Sequence, residues 1–312
     1  MFNLKRTFAV AAFLAVFLSG CASAPAATAT AAPISLTDGT GTRITLPEPA
    51  QRIVSLGPSN TEILFAVGAR DQIVGCDDSS DYPEAAKSLA TISADYGTLN
   101  VEAITALEPD LVLAAEIISP EQVQTMRSLG LKVFYLANPT SLPDGLFANV
   151  RAVGTLTGRA PEADKLISGL QSRFNAVREK AARAASSPLV YFELDATDPS
   201  RPYVAGPGSF IDMLIRIAGG KNLGAALSTS WAQISAEEIL HQDPDIILLG
   251  DTGFGVTPES VAGRPGWKNL KAVNLGTVYA IDSNLVLRPG PRLADALEIM
   301  ARRIHPEIFG TG

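Results

Sequence analysis

Histidine and cysteine each occur only twice in 312 residues. Two cysteines cannot build a disulfide framework. His241 and His305 have no second histidine or cysteine at ligand spacing, so neither a metal nor a resident cofactor is expected. Cys76 stands alone after an apolar pair and reads as a small buried hydrophobe. Basic residues are in the minority, with 25 Lys plus Arg against 32 Asp plus Glu and a formal charge of −7. Without a basic run, nucleic acid is not an expected partner. There is no Gly-x-Ser-x-Gly and no P-loop, and Gly39-x-Gly41 lacks the rest of a dinucleotide fingerprint. An enzyme using a nucleophile-base pair or a metal therefore has no visible constellation. What is abundant is apolar: 46% hydrophobic against 18% charged, enough for a sizeable core and too much for global disorder. The length suits two domains, or one large one.

The first twenty residues are not expected to belong to the fold. Lys5 and Arg6 precede a twelve-residue apolar run at 7–18, TFAVAAFLAVFL. That run is too short to span a bilayer as a helix and suits a signal-peptide core. Leu18-Ser19-Gly20-Cys21 follows and resembles the bacterial lipoprotein cleavage box, which implies a lipidated Cys21. The other reading is an ordinary secretory signal cut a few residues later, with Cys21 incidental. Residues 21–33 carry no charge and no large apolar side chain, and read as a tether. Loss of residues 1–20 leaves 23 basic against 32 acidic side chains. The chain is expected to be exported, lipid-anchored at the outer face of the cytoplasmic membrane or in the periplasm, and monomeric.

From residue 34 the pattern is α/β. Residues 34–46 alternate around Asp38-Gly39, a hairpin signal. Apolar strands are expected at 52–56, 73–74, 111–114 and 132–136. Between them, Ser59-x-x-Glu62 has a capping-box pattern, Asn100 can cap a helix through Leu107, and Ser119-Pro120 opens a helix closed by Gly130. Strands alternating with helices predict a mostly parallel sheet covered on both faces. Residues 142–185 are helical in texture, with Ile167, Leu170, Phe174 and Val177 on one face. Strand pattern resumes at 188–194.

The second half repeats the first. At an offset of 135, Glu102/Glu237, Ile104/Ile239, Pro109/Pro244, Asp110/Asp245 and Leu113/Leu248 are identical. Upstream, Gly57-Pro58 and Gly68 echo Gly206-Pro207 and Gly219-Gly220. Downstream, Ser119-Pro120-Glu121 echoes Thr257-Pro258-Glu259, and Leu129-Gly130 echoes Leu275-Gly276. Matches in one order predict two related α/β lobes, 34–141 and 188–312, joined by a helical connector at 142–187. Helix-Pro-Asp-strand is also a good local way to enter a buried strand, and a first-turn carboxylate is favoured by the helix dipole at about 0.3–1 kcal/mol.

Several segments carry a family resemblance. They are Arg52 through Glu62 (RIVSLGPSNTE), Asp81 through Lys87 (DYPEAAK), Asn100-Val101-Glu102 and Pro109 through Val112. They continue with Ala218 through Asn222, Trp231 through Glu237, Arg288 through Arg292 and His305-Pro306-Glu307. Over about residues 34–310 the chain resembles the substrate-binding proteins of ABC importers. The class is the rigid one whose lobes are bridged by a long helix, which holds the cobalamin, ferric-siderophore and haem binders. The nearest likeness is to periplasmic cobalamin-binding proteins. The resemblance implies a ligand cleft between the lobes and partners in a permease and its ATPase subunits. It implies that Glu102 and Glu237 dock on the permease. It places Tyr96, Trp231 and Tyr203 as aromatic ligand contacts, with Tyr82, Ser59 and Arg288 beside them. Ser79 and Ala115 stand where the best-known cobalamin binder has aromatics. Haem binders of this class use a Tyr or His axial ligand, and Tyr96 is one residue nearer Glu102 than their pattern sets. Core packing is the alternative reading of Trp231 and Tyr203. An anchored enzyme and a cell-surface adhesion module are the competing function classes, and the duplicated α/β plan argues against the latter.

Overall fold

The computed structural model describes residues 32–92, 94–95 and 98–310. The first half opens with a hairpin of β1 (Ile34–Thr37) and β2 (Arg43–Leu46). There follow β3 (Ile53–Leu56), α1 (Pro58–Ala66), β4 (Ile73–Asp77), β5 (Thr91–Ile92) and a small hairpin of β6 (Ala94–Asp95) and β7 (Thr98–Leu99). Then come α2 (Val101–Ala106), β8 (Leu111–Ala115), α3 (Pro120–Ser128) and β9 (Val133–Leu136). The connector is α4 (Asp144–Leu156) and α5 (Ala160–Ala181). The second half begins with β10 (Leu189–Asp195), β11 (Tyr203–Ala205), α6 (Phe210–Ile217), β12 (Lys221–Asn222) and β13 (Trp231–Gln233). It continues with α7 (Ala236–Gln242), β14 (Ile246–Leu249), α8 (Pro258–Ala262), α9 (Lys271–Leu275) and β15 (Val278–Ala280), and closes with α10 (Ser283–Val286), α11 (Leu293–Ile304) and α12 (Pro306–Phe309).

The first sheet is all parallel, in the order β5-β4-β3-β8-β9. The second runs β13-β11-β10-β14-β15, with β12 also on β10. Its β10, β12, β14 and β15 are parallel, while β11 and β13 are antiparallel. The sheet is therefore mixed, whereas among the described residues the antiparallel pair β6 and β7 of the first lobe stays separate from its parallel sheet.

The repeat holds at the level of register. Ile53 pairs with Leu111 and Val112 with Val133; at the repeat positions Val190 pairs with Ile246 and Ile247 with Val278. Among the described residues, the two non-glycine residues in the left-handed region are Glu108 (φ 46°) and Asp243 (φ 47°), again 135 apart. Each turns the chain out of its helix into Pro-Asp. The Asp then pins the start of the neighbouring strand. Asp110 accepts the Gln51 and Arg52 N–H groups at 2.7 and 3.1 Å, and Asp245 accepts that of Leu189 at 2.7 Å. The Pro-Asp motif is thus a strand clamp, used twice.

Both sheets are buried on both faces. Leu111 and Leu113 on one face of β8, with Ile246 and Leu248 of β14, join one core that also takes in α1, α4, α5, α6 and α11. Val112 and Ala114 face a second core with α2 and α3, while Ile247 and Leu249 face a third with α7 to α9. Helix α5 has 22 residues, about 33 Å at 1.5 Å per residue. Its Ile167, Leu170, Phe174 and Val177 are buried in the shared core, as the spacing predicts. Arg173 ties it to α11 through Glu298 at 2.8 Å and Asp295 at 2.5 Å.

Candidate ligand-binding cleft

In parallel sheets, ligands gather beyond the carboxyl ends of the strands. A cleft of about 460 Å³ lies there. The first lobe contributes Pro58 and Ser59 after β3, Ser79 after β4, Ala115, Glu116 and Ile117 from the end of β8, and Asn138 after β9. The second lobe contributes Trp231 on β13 and Leu287, Arg288 and Pro289 after α10. A larger hollow, about 580 Å³, runs along α5 past Phe65 and Leu166. It lies on the flank of a helix and not at strand ends, and so does not mark the site.

The turn after β3 is built for close approach. Gly57 has φ 131°, and a Cβ there would sit 2.4 Å from the Cβ of Ala115. Its N–H donates to Asp77 Oδ2 at 2.7 Å, as does Ser80 Oγ at 2.7 Å, and Ser79 N–H donates to Oδ1 at 3.0 Å. Burial pushes the Asp77 carboxyl up, opposed by these hydrogen bonds. Thr61 Oγ1 links Ser55 and Ser80, each at 2.8 Å. This network fixes Pro58, Ser59 and Ser79 on the cleft wall. It also overturns the expected capping box at Ser59 and Glu62. Helix α1 starts two residues earlier, at Pro58, with Gly57 and not Ser59 as N-cap and no side-chain cap.

Glu62 points instead across the lobe boundary. Its side chain is 2% exposed and is held by Arg292 of the second lobe, Nε at 3.0 Å and Nη2 at 2.5 Å. Arg288 lies 3.9 Å from the same carboxylate, bonds Asp81 at 2.5 Å, and donates to Ser79 O at 3.2 Å and Asn284 Oδ1 at 2.8 Å. Burial pushes the Glu62 carboxyl up against the pull of both arginines. Burial opposes ionisation of Asp81 too, but the Arg288 guanidinium outweighs it and holds that carboxyl low. The guanidinium of Arg292 also lies over the Tyr82 ring, 3.9 Å from its centroid. The four charged groups clamp one lobe to the other at the side of the cleft.

Trp231 is positioned by the antiparallel flank. It pairs with Ala205 across β11, its ring meets Phe210 edge-on at 5.5 Å and 68°, and it stays 38% exposed. Tyr203, 45% exposed, pairs with Gln233 on the same ladder.

The cleft therefore brings together Ser59, Trp231 and Arg288, with Ser79 and Ala115. The guanidinium of Arg288 is committed to Asp81, Ser79 and Asn284, so it shapes the wall as well as lining it. Tyr82 lines a separate depression of about 360 Å³ with Phe65, Leu170 and Arg292. Tyr203 is not among the residues lining the cleft. Tyr96 and Cys21 lie outside the described residues. Sequence reasoning missed the clamp of Glu62, Asp81 and Arg292, and Ile117, which is 75% exposed in the cleft. The capping-box reading had absorbed Glu62. Among the described residues no group of three His, Cys, Asp or Glu could hold a metal ion.

Glu102 and Glu237 are both exposed, each second in its helix after a capping side chain, Asn100 on α2 and Ser235 on α7. The two carboxylates are thus repeat-equivalent in structure as well as in sequence.

Relatives of this chain share most of its length. An uncharacterized ABC transporter substrate-binding lipoprotein of Bacillus subtilis is 30% identical over 280 residues, 89% of this chain and 87% of that protein. A cobalamin-binding protein of Halobacterium salinarum is 32% identical over 280 residues, 88% of this chain and 74% of its own. Among solved structures, a periplasmic heme-binding protein from Roseiflexus in apo form has a TM-score of 0.73 at 31% identity, covering 82% of this chain and 98% of that one. These are binding proteins and not enzymes. Residues 53–285 match the periplasmic binding protein family model, and with the duplicated lobes and the cleft between them this chain belongs to that family.

Proposed function

We propose that the chain is the extracytoplasmic substrate-binding lipoprotein of an ABC importer, and that its ligand is cobalamin or a related corrinoid. The observation that carries this reading is the partly exposed Trp231, braced by Phe210, on a cleft between two lobes. Around it, Pro58, Ala115, Ile117, Leu287 and Pro289 are apolar, and Ser59, Ser79 and Asn138 are small polar groups. That mixture suits a large flat macrocycle with a polar periphery. The small Ser79 and Ala115 leave room where aromatics would narrow the cleft. The cobalamin-binding relative supports the ligand class. Trp231 and Ser59 are the primary contacts, with Tyr96 as a further aromatic and Arg288 supporting the wall, while Tyr82 braces Arg292 beside the cleft. Residues 1–20 are removed, Cys21 carries the lipid, and residues 21–33 tether the lobes to the membrane. Glu102 and Glu237 meet basic residues of the permease, one per lobe.

The test is native mass spectrometry of the protein with cyanocobalamin, cobinamide, haemin and a ferric siderophore. A one-to-one corrinoid complex is expected, and Trp231→Ala should weaken it by roughly 1–3 kcal/mol, the range for losing a buried aromatic contact. Retention of haemin or the siderophore to the exclusion of corrinoids would overturn the ligand assignment. Haem is the second reading, favoured by the 31% identity to the Roseiflexus heme binder.

A further inference from the structure

Among the described residues, Leu129 and Leu275 are exposed by 63% and 64%. A lone exposed leucine is ordinary. These two occupy the same place in the two lobes. Leu129 directly precedes Gly130 (φ 88°) and Leu275 directly precedes Gly276 (φ 69°). Both helix ends close with the same pair of hydrogen bonds. In the first lobe Leu131 N–H donates to Met126 O at 3.2 Å and Gly130 N–H to Arg127 O at 3.0 Å; in the second Thr277 N–H donates to Ala272 O at 2.8 Å and Gly276 N–H to Val273 O at 3.3 Å. The apolar contact belonging to this motif joins the residue after the glycine to the helix residue five before it. The leucine just ahead of the glycine has no part in it, so folding does not call for a large apolar side chain there. The strand that follows each turn pairs with the repeat-equivalent strand, Val112 with Val133 and Ile247 with Val278, and starts one residue closer to the glycine in the second lobe. The equivalence survives even though eight more residues separate Thr257 from Leu275 than Ser119 from Leu129.

Leu129 also shares one shallow depression, about 480 Å³, with Val101, Glu102, Thr105 and Ala106. An exposed carboxylate and an exposed leucine thus sit on one patch, and the repeat places Glu237 and Leu275 at the corresponding positions of the other lobe. We propose that Leu129 and Leu275 are a paired set of apolar docking contacts, beside Glu102 and Glu237, for the two equivalent halves of the membrane permease. This rests on the reading that the two glutamates dock there. A partner with two equivalent halves fits because each lobe offers the same pair of groups. The acid would steer and orient a basic partner, and the leucine would be buried once the complex forms.

The test uses the permease–ATPase complex that supports uptake with this protein, held in lipid nanodiscs and titrated with the labelled, ligand-loaded protein. Leu129→Gln and Leu275→Gln are each expected to raise Kd about tenfold and the double change about a hundredfold, with ligand affinity and Tm unchanged. The Leu→Met variants should bind the complex like the parent. If Glu102→Gln and Glu237→Gln weaken docking while the leucine changes do not, the apolar contacts are refuted and the glutamate reading stands. If the leucine changes act and the glutamate changes do not, the leucines stand and the acidic half of the docking reading falls. If neither pair matters, both fall. A Tm loss in the Gln variants restored by Met, with docking unaffected, would make the leucines structural and overturn the proposal.

Discussion

Replacing Arg292 with alanine tests whether the lobes are locked together by the buried charge clamp. The Glu62 side chain is 2% exposed and that of Arg292 16% exposed. Arg292→Ala removes two charge-assisted hydrogen bonds, at 3.0 and 2.5 Å, and leaves Glu62 with Arg288 at 3.9 Å as its nearest counter-charge. Breaking a buried pair by removing one partner costs about 3–5 kcal/mol. Arg292 keeps some contact with water and Arg288 offsets part of the loss, so the lower end, about 3 kcal/mol, is expected. At about 2.1 cal/mol/K of unfolding entropy per residue, a fold of this size shifts by about 2 °C per kcal/mol or slightly less, so Tm should fall by about 5 °C. Glu62→Leu combined with Arg292→Leu removes both charges together, and should recover most of that stability. Arg292→Lys should recover little, because a point charge cannot replace the two-pronged contact. Urea unfolding of the singles and the double gives the coupling directly. A cost below about 1 kcal/mol for Arg292→Ala, the range of an exposed pair, would refute the clamp.

Two further outcomes are expected. Asp251 is pushed from 3.8 up to about 6 by burial and by the nearby Glu193 carboxylate, so the folded chain binds this proton more tightly than the unfolded one. Its contribution to stability is then complete below about pH 4 and is lost as pH rises to about 6. The stability difference between the parent and Asp251→Asn, measured by urea midpoint at steps across that window, should change with pH in that sense; a constant difference would exclude the shift. Cys21→Ser should release the protein from the membrane fraction or leave it uncleaved, and unchanged partitioning into detergent would rule out the lipid anchor.

Local chemistry made much of this protein legible. Period-two and period-3.6 patterns separated strands from helices, and the apolar spacing from Ile167 to Val177 marked the buried face of α5. The 135-residue repeat located equivalent strands and equivalent first-turn glutamates, because each Pro-Asp turn is a short-range device with its own hydrogen bonds. Trp231, Ser59 and Arg288 were found because they lie in motifs with a family likeness, and the cleft gathers these three.

What only the tertiary structure decided are the contacts made across the chain. Glu62 and Arg292 are 230 residues apart, and nothing in SNTE distinguishes a cap from one half of a buried ion pair. Glu193 is buried in the apolar strand β10, and its partner Arg264, at 2.5 and 2.7 Å, lies 71 residues further along the chain. The family resemblance implies that Tyr82 lies beside the ligand contacts, whereas its ring packs under Arg292 in a neighbouring depression. The antiparallel β11 and β13 that carry Tyr203 and Trp231 were not visible either, because three-residue strands have too little periodicity to be read. Sequence determines the repeating unit through local hydrogen bonding and burial, whereas the way two such units face each other depends on charges and rings that meet only once the chain has folded.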